Sequence, residues 1–336
     1  MQTRQLGKTG PVVSALGLGT MGMSGMYGPS DRAESLATID AALEAGITLI
    51  DTGDFYGMGH NEMLIGEALK GGLLKGNRRD KAVLSVKFGA QRDPGAGWIG
   101  FDGRPAAVKT SLAYTLQRLG VDHIDIYRPA RLDPQVPIED TVGAIAEMVQ
   151  AGFVRHIGLS EVGVETIRKA HAVHPIVDLQ IEYALITRGV EDKILPVLRE
   201  LGIGMTAYGV LSRGLISGHW DKGQGQAKGD FRAYSPRFQD GNVDRNLALV
   251  EALRKIAEAK SVSVAQIAIA WVAAQGDDIV PLVGARTRAR LSESLGALDV
   301  TLSADDLAAI ERAVPRDAAA GTRYAEAQMA HLDSER

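Results

Sequence analysis

The stretch LEAGITLIDT at residues 43–52 leaves an amphipathic segment, passes a glycine, and enters a short apolar run that closes on an aspartate. The same order recurs in LQRLGVDHIDIY (116–127), VQAGFVRHIGLS (149–160) and LRELGIGMTAYG (198–209). In each copy the glycine falls where a helix ends on a left-handed residue, and a strand-forming run begins almost at once. The segments in front carry an apolar stripe at helical spacing. Val142, Ile145, Ala146 and Val149 form one stripe; Ile194, Val197, Leu198 and Leu201 form another. Val108, Leu112, Leu116 and Leu119 mark a third, and Leu36, Ile39 and Leu43 a fourth.

Outward from these copies, strands are predicted at Ala15–Leu18, Thr48–Asp51, Ala82–Lys87, Ile124–Tyr127, Val154–Leu159, Val177–Ile181, Gly204–Ala207 and Asp278–Val283. A helical segment precedes each one after the first. Alternating strands and helices imply a parallel sheet, and eight such units point to a closed (β/α)8 TIM barrel. An open doubly wound sheet has the same alternation and is the structural alternative. No Pro- or Ser-rich linker divides the chain, so residues 1–336 read as a single domain. Three segments depart from the pattern. Residues 3–14 read as a hairpin ahead of the first barrel strand. Residues 91–104, rich in Gly, Asp and Pro, lengthen the loop after the third strand and carry Trp98, a candidate wall of a substrate pocket. Residues 210–244 form the longest irregular stretch. Loops after barrel strands rim the face where active sites lie, so long ones there suggest a lid.

The 37 basic and 41 acidic side chains leave a net charge of −4, which argues against a dedicated nucleic-acid or anionic-membrane partner. Cysteine is absent, which excludes disulfides, thiolate metal sites and a cysteine nucleophile, and fits a cytoplasmic location. There is no apolar run of about 18 residues and no basic-then-apolar leader, so neither a membrane span nor export is expected.

GLGTMG (17–22) satisfies the G-x-G-x-x-G spacing. A dinucleotide fingerprint needs a helix opening within it, however, and the next helical pattern starts only near Ser30 or Asp31. These glycines read instead as the end of the first strand. Asp51 closes the second strand, Tyr56 follows in DTGDFYG, and Lys87 closes the third strand in LSVKFG. A lysine there needs a nearby carboxylate, and Asp51 is the candidate. An ammonium beside a phenol favours phenolate, so Tyr56 is expected to be unusually acidic and able to protonate a carbonyl oxygen.

With DTGDFYG, SVKFG (85–89), HIGLS (156–160), AYGVLSRG (207–214) and GARTRARLSESLGAL (284–298), the chain resembles the aldo-keto reductase superfamily over nearly its whole length, starting at QLGKTGPVVSALGLGTMG (5–22). The resemblance implies a barrel reductase that binds NADPH without a Rossmann fold, acts on a small carbonyl substrate, and uses Tyr56 as acid with Lys87 and Asp51 assisting. It also implies a histidine on the fourth strand. Where that strand usually reads like IDLYYQHRVDP, this chain reads IDIYRPARLDP (124–134), with Ala130 at the histidine position. His123, ahead of the strand, is out of register to replace it. The resemblance assigns the nicotinamide carboxamide to Ser160 and Gln180 and the stacking ring to Tyr208. Glu161 stands where the usual asparagine is expected. Gly284, Arg286, Arg290 and Glu293 match the family's adenosine-phosphate end, and Arg213 is a pyrophosphate candidate.

Arg286, Arg288 and Arg290 at a helix start suit a phosphate, and together with the resemblance this favours NADPH over NADH. Arg128 shares a strand face with Ala130 one layer deeper, and is expected to point into the barrel top and pair with Asp51 or Glu182. His171 and His174 have helical spacing but no third ligand, so a zinc site is not expected. The missing histidine keeps open a non-catalytic NADPH-binding regulator; an isomerase or lyase would explain the arginines but not the tyrosine–lysine pair.

Overall fold

The computed structural model describes residues 1–71, 78–220, 230–239 and 241–336. The chain opens with an antiparallel hairpin, β1 (Thr3–Gln5) and β2 (Val12–Ser14), then enters β3 (Gly17–Gly19). Next come β4 (Leu49–Gly53), β5 (Val83–Phe88), and a second hairpin of β6 (Ala90–Arg92) and β7 (Trp98–Phe101). The remaining strands are β8 (Ile124–Pro129), β9 (Val154–Ser160), β10 (Ile176–Glu182), β11 (Gly204–Tyr208) and β12 (Ile279–Gly284). β3, β4, β5, β8, β9, β10, β11 and β12 pair in that order and close back on β3, all parallel. Closure rules out the open sheet.

The glycine after each helix does what the repeated pattern implies. Gly120 (φ +66°) and Gly202 (φ +71°) end the helices Pro105–Leu119 and Ile194–Leu201 in the left-handed region, and strands start two to four residues later. A side chain at Gly202 would also strike Lys8 of the first hairpin, so this turn is held against the barrel's base. The helix stripes pack on the outside of the sheet as one large core. A second, small apolar cluster of Leu6, Val13, Leu49, Ile126, Val177 and Val280 seals the lower end, with Leu6 and Val13 supplied by the hairpin region.

Two loop expectations are revised. Residues 91–104 are not irregular: β6 and β7 pair across a turn in which Asp93 accepts from the Gly97 amide at 2.7 Å, and Ala96 turns with φ +65°. Trp98, Ile99 and Phe101 favour a strand once that turn is set. Of the long stretch 210–244, residues 221–229 and 240 lie outside the described residues; the rest contains 3-10 turns at Ser212–Gly214, Phe231–Tyr234 and Pro236–Phe238, then the helix Asn242–Ala259. The first barrel helix, Arg32–Glu44, starts beyond GLGTMG, with Asp31 capping the Glu34 amide at 2.7 Å. Among the described residues no single helix is long and apolar enough to cross a membrane.

Candidate active site

Alternation along β4 and β5 turns Asp51, Ser85 and Lys87 toward the barrel axis at its C-terminal end. The Lys87 ammonium forms a short ion pair with Asp51 Oδ1. Asp51 Oδ2 accepts from Ser85 Oγ at 2.8 Å and from Gln180 Nε2 at 2.7 Å across the barrel. All four side chains are buried. A carboxylate so enclosed must stay paired, because an isolated charge there is prohibitive.

Tyr56 reaches this network from the segment after β4. Asn61 holds that segment: its Oδ1 accepts from Thr20 Oγ1 at 2.6 Å and Thr52 Oγ1 at 2.7 Å, and its Nδ2 donates to the Thr20 carbonyl at 2.9 Å. Gly57 (φ +56°), Met58 (φ +51°) and Gly59 (φ +92°) then swing the chain back in three successive left-handed residues. The Lys87 ammonium lies 5.1 Å from the centroid of the buried Tyr56 ring. The Tyr56 hydroxyl has no hydrogen-bond partner among the described residues. Its acidity departs from the sequence expectation: burial, then Asp51, pushes the phenol well above its ordinary value. Burial of the ring decides the direction; the nearby Lys87 ammonium is itself paired with Asp51, and burial pulls the lysine downward.

Phe55 makes edge contacts with the Tyr56 ring at 4.8 Å and with Trp98 at 5.7 Å. Trp98 is 45% exposed, with the Arg92 guanidinium 3.6 Å from its ring centroid, so it does stand beside the Tyr56 region.

On β8, Arg128 points into the barrel as expected but takes a different partner. Nη1 pairs with Asp178 Oδ2 at 3.0 Å and Nη2 donates to Ser85 Oγ at 2.9 Å; neither Asp51 nor Glu182 is its counterion. The cause is depth: Asp178 sits two residues below Gln180 on β10, and Gly158 leaves the room, since a Cβ there would meet Asp178 Oδ1 at 2.6 Å. Ala130 is buried just past the strand end, its amide donating to the Phe88 carbonyl at 2.8 Å. The next residue, Arg131, donates from Nη1 to the Ala130 carbonyl at 2.6 Å and weakly to Ser160 Oγ at 3.4 Å. His123 sits ahead of the strand against Asp122.

Around the rest of the mouth the C-terminal segment supplies unexpected partners. Glu161, left-handed at φ +54° and buried, receives both amino groups of Arg323 at 2.7 Å each, Ser334 Oγ at 2.7 Å and the Tyr208 hydroxyl at 2.7 Å. Burial alone would raise this carboxyl; Arg323 overrides it and holds it down at about 2. The Tyr324 hydroxyl meets that of Tyr208 at 2.9 Å. Arg213, the pyrophosphate candidate, donates to the Arg323 carbonyl at 2.7 Å and faces Glu182 at 3.5 Å. Glu161 in place of an amide was the sequence signal for this latch: a buried carboxylate demands a cation, though nothing local says which.

Past the exposed Gly284, Arg286 donates to the Tyr27 carbonyl at 2.9 Å, Arg288 pairs with Glu34, and Arg290 pairs with Glu293 at 3.0 Å. His219 also reaches Glu293, at 2.7 Å. Arg286 and Arg290 both remain near solvent at the head of the helix Arg288–Leu295.

A sequence model of the aldo/keto reductase family matches residues 15–315. The chain belongs to that family. It is 41% identical over 326 residues to a probable aldo-keto reductase 1 from Glycine max, covering 96% of this chain and 92% of the relative. A glycerol dehydrogenase from Gluconobacter oxydans superposes with a TM-score of 0.83 at 30% identity, covering 93% of this chain and 94% of that one. An aldo-keto reductase from Bacillus halodurans, in its holo form, does so with 0.76 at 27% identity, covering 94% and 96%. Aldo-keto reductases are oxidoreductases that work with a nicotinamide nucleotide. The donor set here fits such a group: guanidinium groups gather at a helix N-terminus, suited to phosphate, and Ser160, Gln180 and the Tyr208 ring gather at the barrel mouth.

Proposed function

We propose that this aldo/keto reductase reduces an aldehyde or ketone to an alcohol with NADPH, and that Tyr56 is the proton donor. The observation that carries the reading is the buried Tyr56 ring, its hydroxyl without a hydrogen-bond partner among the described residues, beside the Lys87–Asp51 pair at the C-terminal end of the barrel. Ser160 and Gln180 would hold the carboxamide, and the Tyr208 ring would back the nicotinamide. Arg286 and Arg290, with Glu293, would hold the adenosine end, where the arginines favour the extra phosphate of NADPH. When bound, the reduced nicotinamide supplies the hydride that adds to the carbonyl carbon.

Tyr56 keeps its proton across the neutral range, because burial and Asp51 oppose phenolate. It therefore meets a substrate as the neutral, protonated phenol rather than as a phenolate, and donates to the carbonyl oxygen as negative charge develops there. Lys87, whose grip on its own proton burial weakens, stands beside the phenol to offset the charge left on it. Asp51 fixes the lysine, with Ser85 and Gln180 fixing Asp51 in turn. Ala130 leaves room where a larger donor would stand. A cytoplasmic location accords with a chain free of cysteine.

The test follows NADPH absorbance over a panel of aromatic, aliphatic and sugar-like carbonyls, with wild type, Tyr56→Phe and Ala130→His. Turnover by wild type and its loss by roughly 10²–10⁴-fold in the phenylalanine variant is the expected result. Tight NADPH binding without oxidation by any carbonyl would overturn it in favour of a nucleotide-binding regulator.

A further inference from the structure

The cations packed around the barrel mouth are matched almost one for one. Lys87 has Asp51, Arg128 has Asp178, Arg213 and Arg237 share Glu182, Arg232 has Asp230 and Arg323 has Glu161, all within 4.0 Å. Arg131 breaks the pattern. Among the described residues it has no carboxylate within ion-pair distance, and both of its hydrogen bonds leave from Nη1. Its Nε and Nη2 donate to no protein group among those residues. These two atoms form the side-on edge of the guanidinium, whose parallel N–H bonds match the two oxygens of a carboxylate.

Its place in the fold sets what that edge can meet. Arg131 follows Ala130 directly at the end of β8, anchored between the Ala130 carbonyl and Ser160 Oγ. Its charge is felt by Tyr56, Lys87 and Tyr208. A half-buried, permanently charged fork beside the paired groups of a reacting centre lacks an anion, and a bound substrate could supply one.

Building on the carbonyl-reducing reading, we infer that Arg131 is a specificity-determining residue that binds a carboxylate carried by the substrate close to its carbonyl, so that oxo acids are preferred over their neutral counterparts. A neutral aldehyde leaves the fork to water. An oxo acid engages it and has its carbonyl oriented toward Tyr56 by the same contact.

The experiment compares phenyl-2-oxoacetate with its methyl ester in wild type, Arg131→Met and Arg131→Lys, with NADPH as reductant. The methionine variant is expected to lower kcat/KM for the acid by roughly 10- to 100-fold, mainly through KM, and to leave the ester within about threefold. The lysine variant, with charge but no fork, should recover only part of the loss. Calorimetric titration of benzoate into each protein reads the site without turnover: wild type should bind it at least tenfold more tightly than Arg131→Met. If the methionine variant does not fold, Arg131→Gln takes its place. An unchanged acid-to-ester ratio, or equal benzoate affinity, overturns the inference. Failure of every carbonyl to oxidise NADPH would overturn the carbonyl-reducing reading instead, while the benzoate titration still decides Arg131.

Discussion

The lower and upper ends of the barrel are sealed in opposite ways. Below, Leu6, Val13, Leu49, Ile126, Val177 and Val280 close the barrel with apolar contacts that have no preferred direction. Above, Asp51, Lys87, Arg128, Asp178, Glu161 and Arg323 are also buried, but each is held by an oppositely charged partner in a directed contact. An apolar base loses stability in proportion to the volume removed, whereas a paired mouth fails when either member of a pair is changed alone. The base can therefore tolerate drift in side-chain shape, and the mouth keeps charges aligned for chemistry.

The largest effect should follow from breaking the central pair. Lys87→Met leaves Asp51 buried without its cation, at about 3–5 kcal/mol of stability, and removes the charge beside Tyr56. Turnover should fall by roughly 10²–10⁴-fold, a loss that urea titration and steady-state kinetics together would separate from unfolding. Leu49→Ala at the base should cost about 2–5 kcal/mol through the cavity it leaves, yet change turnover per folded molecule by less than about threefold. Equal kinetic damage from both substitutions would abolish the contrast between the two ends.

The two ends of the pH scale sharpen it further. Glu161 is held down at about 2, so the latch it forms with Arg323 is fully stabilising above the ordinary carboxyl value of 4.5 and is lost as pH falls toward 2. Asp54 runs the other way. Burial, with Glu62 nearby, raises it to about 7, and its Oδ1 has no partner among the described residues. Its contribution is complete below the ordinary value of 3.8 and is lost as pH rises through 7. Thermal denaturation across pH should show Asp54→Asn gaining on wild type above neutrality, by about 1–3 kcal/mol, with the gap closing in acid. A constant gap would mean that Asp54 does not titrate there.

The barrel was legible because its signals are local: a stripe, a glycine and a branched run recur within about a dozen residues each time. Tyr56, Lys87 and Asp51 were legible for a related reason, since strand ends in a parallel barrel share one face. Arg128 was placed in the interior correctly but given the wrong counterion, because choosing between Asp51, Glu182 and Asp178 requires the stagger between β8 and β10, which no local pattern encodes. The phenol's acidity was misread because burial of the ring, which only the fold creates, outweighs the ammonium beside it, and that ammonium is paired with Asp51. Arg323 and Tyr324 lie more than 110 residues from Tyr208 and Glu161, and only the tertiary path of the C-terminal segment brings them over the mouth.

The smallest substitution draws the line between the two ends most finely. Gly57, left-handed at φ +56°, would carry a Cβ 3.1 Å from both Ser24 Cβ and His60 Cβ. Gly57→Ala should cost roughly 1 kcal/mol for an L-residue in that region, well below the cost of the Leu49 cavity. Yet this glycine directly follows Tyr56, and the turn it begins sets where the phenol stands relative to Lys87. A shift of well under an ångström there lowers kcat several-fold while KM for a neutral carbonyl barely moves, because orientation of the acid is lost rather than binding. The substitution that costs less stability should thus cost more rate. If Gly57→Ala slows turnover no more than Leu49→Ala does, the phenol is not positioned by its own turn, and the mouth's rigidity must come from the ion pairs alone.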